Sequence, residues 1–112
     1  MSAPLLTTKI TLQARVRSPD GSGGFSEIWT DLGILWGALE RSRGSKVTGQ
    51  EIPLSRARYR VIVRAAPVGA ASRPEVAQRF AIDGQIFNIL SVLHHDQGQR
   101  FLACEVEEEI VG

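Results

Sequence analysis

The feature that most limits what this chain can become is a period of two that recurs in short runs, each closed by a turn signal. In Lys9 to Arg17, the apolar Ile10, Leu12, Ala14 and Val16 alternate with Lys9, Thr11, Gln13, Arg15 and Arg17. That pattern fits a strand with one buried face and excludes an amphipathic helix. The run stops at Ser18-Pro19-Asp20-Gly21, and Ser22-Gly23-Gly24 extends the turn into a flexible loop.

A second run covers Ile28 to Arg41. Leu32, Ile34, Trp36 and Ala38 share one parity, while Leu35 and Leu39 share the other with Gly33 and Gly37. A strand with a mainly apolar face and a partly apolar back suits a barrel wall. The rival reading is a helix over Asp31 to Arg41, but two glycines in so short a run would each cost it about 1 kcal/mol. Ser42 to Ser55 has no sustained period and contains Gly44, Gly49 and Pro53, so it reads as a long loop. Ala57 to Arg64 is the third strand, with Tyr59, Val61 and Val63 inward and Arg58, Arg60, Ile62 and Arg64 outward. Ala65 to Pro74 is a further loop. Gln78 to Ile82, Gln85 to Leu93 and Arg100 to Glu107 then form a meander, joined at Asp83-Gly84, a hairpin signal that tolerates positive φ, and at His94-His95-Asp96-Gln97-Gly98. Glu108 to Gly112 is read as a tail.

The expected fold is therefore all-β: a small six-stranded antiparallel β-barrel with a long loop between strands 2 and 3. At 112 residues the chain is one domain, its barrel spanning about residues 8–108 between short flexible termini. The inward set is Ile10, Leu12, Val16, Trp36, Tyr59, Val61, Val63, Phe80, Ile82, Phe87 and Ile89. Closure removes the exposed edges that invite aggregation.

Charge is nearly balanced, at +1, so no global field draws the chain to nucleic acid or membrane. Its distribution is uneven. Arg41, Arg43, Lys46, Arg56, Arg58, Arg60 and Arg64 crowd one region whose only acid is Glu51, and Glu105, Glu107, Glu108 and Glu109 gather near the C-terminus. Basic middle and acidic end can pair between subunits, or each can be a solvated face. The basic loop can also meet DNA phosphates without reading sequence.

Nothing frames a catalytic centre. No Gly-x-Ser-x-Gly elbow is present, and the Gly21-Ser22-Gly23-Gly24 loop lacks the lysine and helix of a phosphate loop. His94 and His95 are adjacent on a strand and point to opposite faces, so they are not read as metal ligands. Cys104 is the single cysteine, read as a small buried hydrophobe. No catalytic residue, metal or cofactor is expected. Met1 to Leu6 has neither a basic start nor a long apolar stretch and is not read as a signal peptide; no run is long enough to span a bilayer. Trp29, Trp36, Tyr59, Phe80, Phe87 and Phe101 are read as core aromatics, which weakens the main alternative, a small β-barrel that binds nucleic acid through stacking platforms.

Several motifs, in order, resemble the head-tail joining (head closure or stopper) proteins of tailed phages and gene transfer agents. They are Trp29, then Ile34-Leu35-Trp36-Gly37-Ala38-Leu39-Glu40, the loop with Gly44, Tyr59-Arg60-Val61-Ile62-Val63-Arg64, Arg79 to Ile89 with Phe87 in the aromatic position, and Arg100-Phe101-Leu102-Ala103-Cys104-Glu105. The resemblance spans about residues 8–108. It implies a non-enzymatic ring subunit, most often a hexamer, at the neck of a virion or phage-like particle assembled in a bacterial cytoplasm. The portal or adaptor would lie above, the tail terminator below, and packaged double-stranded DNA in the channel. The loop Arg41 to Arg56 would project into that channel and help gate it, with Arg41, Arg43 and Lys46 nearest the DNA. Arg58, Arg60, Arg64, Glu105, Glu107 and Glu108 would serve subunit or neighbour contacts.

Overall fold

A computed structural model of the chain describes residues 4–41 and 57–109. It holds six strands: β1 (Thr8–Pro19), β2 (Phe25–Arg41), β3 (Arg58–Arg64), β4 (Arg79–Ile82), β5 (Gln85–His94) and β6 (Phe101–Glu109). All neighbours are antiparallel, and the order β1-β2-β3-β6-β5-β4 closes into a barrel. Closure rests on a short seam in which Thr11, Leu12 and Gln13 of β1 face Ala81, Phe80 and Arg79 of β4. The expected fold class is correct, and the segment between β2 and β3 lies outside the described residues.

The interior follows the period of two. Ile10, Leu12, Val61, Val63, Phe80, Ile82, Phe87, Ile89, Leu102, Cys104 and Val106 form one buried cluster, with Leu35, Tyr59, Ala65 and Val92 packed at its margin. Tyr59 meets Phe87 edge-on, with ring centroids 5.5 Å apart, the geometry aromatic quadrupoles favour. Asp83 and Gly84 both take positive φ, +49° and +80°, and so make the tight hairpin expected between β4 and β5.

Three expectations need correction, and one outward residue proves to be buried. Trp36 does not point inward: it is 54% exposed. Facing residues explain why. Lys9, an outward residue of β1, stands opposite Trp36, so Leu35, Gly37 and Leu39 take the inner side. Gly37 is buried there, and a Cβ on it would lie 2.7 Å from Ile10 Cδ1 and 2.8 Å from the Ile62 carbonyl oxygen. The interior has no room for an indole at this level. Val16 is also exposed, because it lies past the seam on a part of β1 with no barrel beneath it. Ile62 is buried although it faces outward, apart from the inner cluster. Finally, β6 runs to Glu109, two residues past the expected strand end, because Glu108 and Glu109 still pair with Phe87 and Ile86 of β5.

One irregularity shapes the rest. Leu12 faces Gly33 but Gln13 faces Asp31, so Leu32 is an extra residue in β2. Gly33, at φ +154°, supplies the backbone conformation that such a bulge needs.

Candidate functional site

Beyond the seam, β1 and β2 leave the barrel together as a two-stranded arm. Arg15, Val16, Arg17, Ser18 and Pro19 pair in unbroken register with Trp29, Ile28, Glu27, Ser26 and Phe25. Six residues from Ala14 to Pro19 reach about 20 Å at the usual rise per residue. The tip is organised by Asp20. Its carboxylate accepts from the Ser22 and Gly24 N–H groups at 2.8 and 3.1 Å, and its own N–H donates to the Gly24 carbonyl.

The outward face of the arm is a ladder of cations, aromatics and acids. The Arg79 guanidinium lies 4.0 Å from the centre of the Trp29 ring and that of Arg15 lies 4.9 Å away, while Arg17 covers Phe25 at 4.6 Å. Arg79 Nε donates to Gln13 Oε1 at 2.7 Å, and Gln13 Nε2 donates to Asp31 Oδ1 at 2.8 Å. These contacts fasten the base of the arm to β4. Trp29 is thus not a core residue as expected, and two guanidiniums attend its ring rather than leaving it open as a stacking platform. Sequence reasoning missed this cluster, although the sequence carries its signal: counting back from the Asp20 turn sets Arg15 and Arg17 against Trp29 and Glu27.

A second surface lies beside the arm. Ile34 and Trp36 on the outside of β2, together with Leu5, Leu6, Ala66 and Phe101, line an open groove of about 570 Å³. The apolar face read as core is therefore the wall of an outer groove.

The charged residues expected to form contacts fall into two groups. Arg60 Nε meets Glu105 Oε2 at 3.0 Å and Arg58 Nε meets Glu107 Oε2 at 3.7 Å, both across the β3–β6 pair. Basic middle and acidic end are brought together, but within one subunit. Arg64 and Glu108 stand in no ion pair among the described residues. Arg41, at the end of β2, lies 5.7 Å from the Tyr59 ring centre; Arg43 and Lys46 lie outside the described residues.

The remaining candidates for chemistry have structural roles. The Asp96 carboxylate accepts from the Arg100 and Phe101 N–H groups and closes the β5–β6 turn. Slight desolvation raises its pKa, but these bonds and the Arg100 guanidinium outweigh it and hold Asp96 below the usual carboxylate value. Cys104 is buried, and burial pushes its thiol up to about 12, which makes it a poor nucleophile. Among the described residues no three His, Cys, Asp or Glu side chains gather to hold a metal ion, and no helix is long and apolar enough to cross a membrane.

Comparison with known proteins agrees with the motif order. No curated protein matches the chain. Residues 1–109 match the family model of the phage head completion protein. A chain from the virion of a native gene transfer agent particle is 37% identical, superposes with a TM-score of 0.79, and is aligned over 98% of this chain and 100% of that one. Protein SF1141 from Shigella flexneri 2a shares the fold, with a TM-score of 0.72, 21% identity and 96% of both chains covered. The chain belongs to the phage head completion protein family, the structural proteins of the neck of phages and phage-like particles.

Proposed function

We propose that this protein is a subunit of a homo-oligomeric ring, most simply a hexamer, that closes the DNA-filled head and joins it to the tail. The portal or adaptor lies on one side of the ring and the tail terminator on the other, and the chain carries out no catalysis. The observation that carries this reading is whole-chain similarity, at 37% identity, to a chain of a gene transfer agent virion. The fold supports it: a barrel with an external arm and an external apolar groove offers separate surfaces for several neighbours.

In this proposal the segment from Arg41 to Arg56 points toward the channel and helps gate it. Its Arg41, Arg43 and Lys46 repeat in every subunit, so a modest basic loop becomes a collar of positive charge that holds DNA phosphates and weakens as salt rises. Arg64 and Glu108 are the charges best placed to serve a neighbour. Arg58, Arg60, Glu105 and Glu107 contribute less, because each is already engaged within its own subunit.

Deleting Ser45 to Gln50 tests the channel role. The barrel is expected to stay folded, while heads leak DNA or fail to join tails. Particles that retain DNA, join tails and deliver normally would reduce the loop to a connector. A separate fractionation tests the location. The protein should travel with DNA-filled heads and complete particles, and its absence from both would refute a neck role.

A further inference from the structure

The barrel closes, yet one of its hairpins keeps two open edges. Past Gln13, β1 has no partner on its β4 side, and from Phe25 to Trp36 β2 has no partner on its β3 side, where pairing begins only at Gly37. Alternate backbone N–H and C=O groups along both edges therefore have no strand partner among the described residues. The longer edge carries exposed apolar side chains, among them Ile28, Ile34 and Trp36. A long apolar edge of this kind is a template for another strand.

The two edges differ in charge. In the arm, β1 offers Arg15 and Arg17 and no acid, whereas β2 offers Glu27 and Asp31 and no base. All four lie on one face, the face of Trp29. This asymmetry discriminates between ways of joining two copies. If β2 met β2 about a two-fold axis through Trp29, Glu27 would stand opposite Asp31 of the other copy. If β1 met β1 in the same way, Arg15 would stand opposite Arg17. Like charges directly across a strand pair are unfavourable. If β2 of one copy meets β1 of the next, acids lie beside guanidiniums, and the strands remain antiparallel.

We infer that the arms of neighbouring copies of this chain join edge to edge, β2 of one to β1 of the next, and make a continuous sheet between subunits. The inference rests on the ring proposed above. A contact between two different edges is head-to-tail, the kind that rotates into a ring instead of ending at a dimer. A ring has no translation along its axis. With arms parallel to that axis, each β1 therefore lies level with its own β2, and Ser18 of one copy meets Ser26 of the next. A tilted arm slides the match two residues at a time along the same face, toward Thr30. In level register Glu27 meets Arg17 of the next copy, and Trp29 meets Arg15, so every Trp29 receives a further guanidinium from its neighbour.

Single-cysteine variants in a Cys104→Ser background test this. Ser18→Cys subunits are co-expressed in particles with mass-tagged Ser26→Cys subunits, or with tagged Thr30→Cys subunits, and the purified particles are mildly oxidised. One cysteine per chain excludes bonds within a chain. The expected product is the mixed dimer of Ser18→Cys with one of the two partners, at least tenfold above either homodimer. Dominant homodimers would overturn the inference in favour of two-fold pairing. The number of copies per particle, counted by quantitative mass spectrometry, separates the two remaining outcomes. Several copies without the mixed dimer would overturn edge pairing and leave the ring standing. A single copy per particle would overturn the ring, and edge pairing with it. Circular dichroism and thermal melting of each variant alone confirm that the subunits entering the assay are folded.

Discussion

Gly37→Ala gives the most direct test of how the barrel interior is filled. The added methyl would sit 2.7 Å from Ile10 Cδ1, 2.8 Å from the Ile62 carbonyl oxygen and 3.1 Å from Val63 Cγ1. Ile10 can swing aside only into a cluster that is fully buried, and the Ile62 carbonyl belongs to a strand paired on both sides, to β2 and to β6. Overpacking of this kind costs about 1–3 kcal/mol. Replacing a strand glycine returns roughly 0.5–1 kcal/mol through the unfolded chain. The net expectation is a loss of about 1–2 kcal/mol, which for a domain near this size lowers Tm by roughly 4–15 °C. Urea denaturation followed by tryptophan fluorescence, together with a calorimetric scan, measures both. A midpoint equal to or above that of the wild type would show that the inner side of β2 has room, and the account of Trp36 being turned outward would fail with it.

Other consequences follow from the same structure. Trp36→Ala should cost about 1–2 kcal/mol, roughly half the 3–5 kcal/mol of a fully buried ring, since half the indole is in solvent; a loss above about 3 kcal/mol by urea titration would put the ring back inside. Cys104 should resist a thiol reagent at pH 8 in the folded protein and react once denatured; rapid labelling of the native state would contradict its burial. Because burial raises the folded pKa of Cys104 to about 12 from a reference of 9.0, its contribution to stability is complete below pH 9 and is lost as pH rises from 9 toward 12. Cys104→Ala should therefore flatten the alkaline limb of the stability curve, and an unchanged limb would show that other groups set it. Reversing charge at Glu107 and Glu108 should lower particle yield while the isolated subunit keeps its melting temperature within about 5 °C, and normal yield would remove the β6 end from the list of contacts.

Much of this molecule is legible in its sequence. In β1 and β4, and in β3 apart from Ile62, the inward residues alternate against polar or small partners, and the Asp83-Gly84 hairpin carries that parity into β5 by setting Phe87 opposite Phe80; together these assign Ile10, Leu12, Val61, Val63, Phe80, Ile82, Phe87 and Ile89 to the core. β2 defeats the same method because both its faces are apolar. There the side with the larger residues, Ile34 and Trp36, has the look of a core, whereas the side with Gly37 is the one that fits against Ile10 and Val63. Packing across the barrel, which no single strand encodes, decides that question. The arm escapes parity for a related reason. Alternation announces a strand with two unlike faces but not how far its neighbours accompany it, and β4 is only four residues long. Composition shows that cations cluster in the middle of the chain and acids near its end, but their pairing inside one subunit depends on the β3–β6 register, which the order of strands in sequence does not reveal.

The extra residue at Leu32 has a further meaning for how this chain can change. In β2, odd-numbered residues from Phe25 to Asp31 share the outward face with Arg15 and Arg17, while downstream the outward face belongs to the even-numbered Ile34 and Trp36. The strand thus carries two reading frames joined at a phase slip. Inserting one residue between Asp31 and Leu32, or deleting Leu32, would turn Asp31, Trp29 and Glu27 to the opposite face while the barrel keeps its frame. The arm can therefore be rewritten as a unit, with its partner specificity, while the frame of the barrel is preserved.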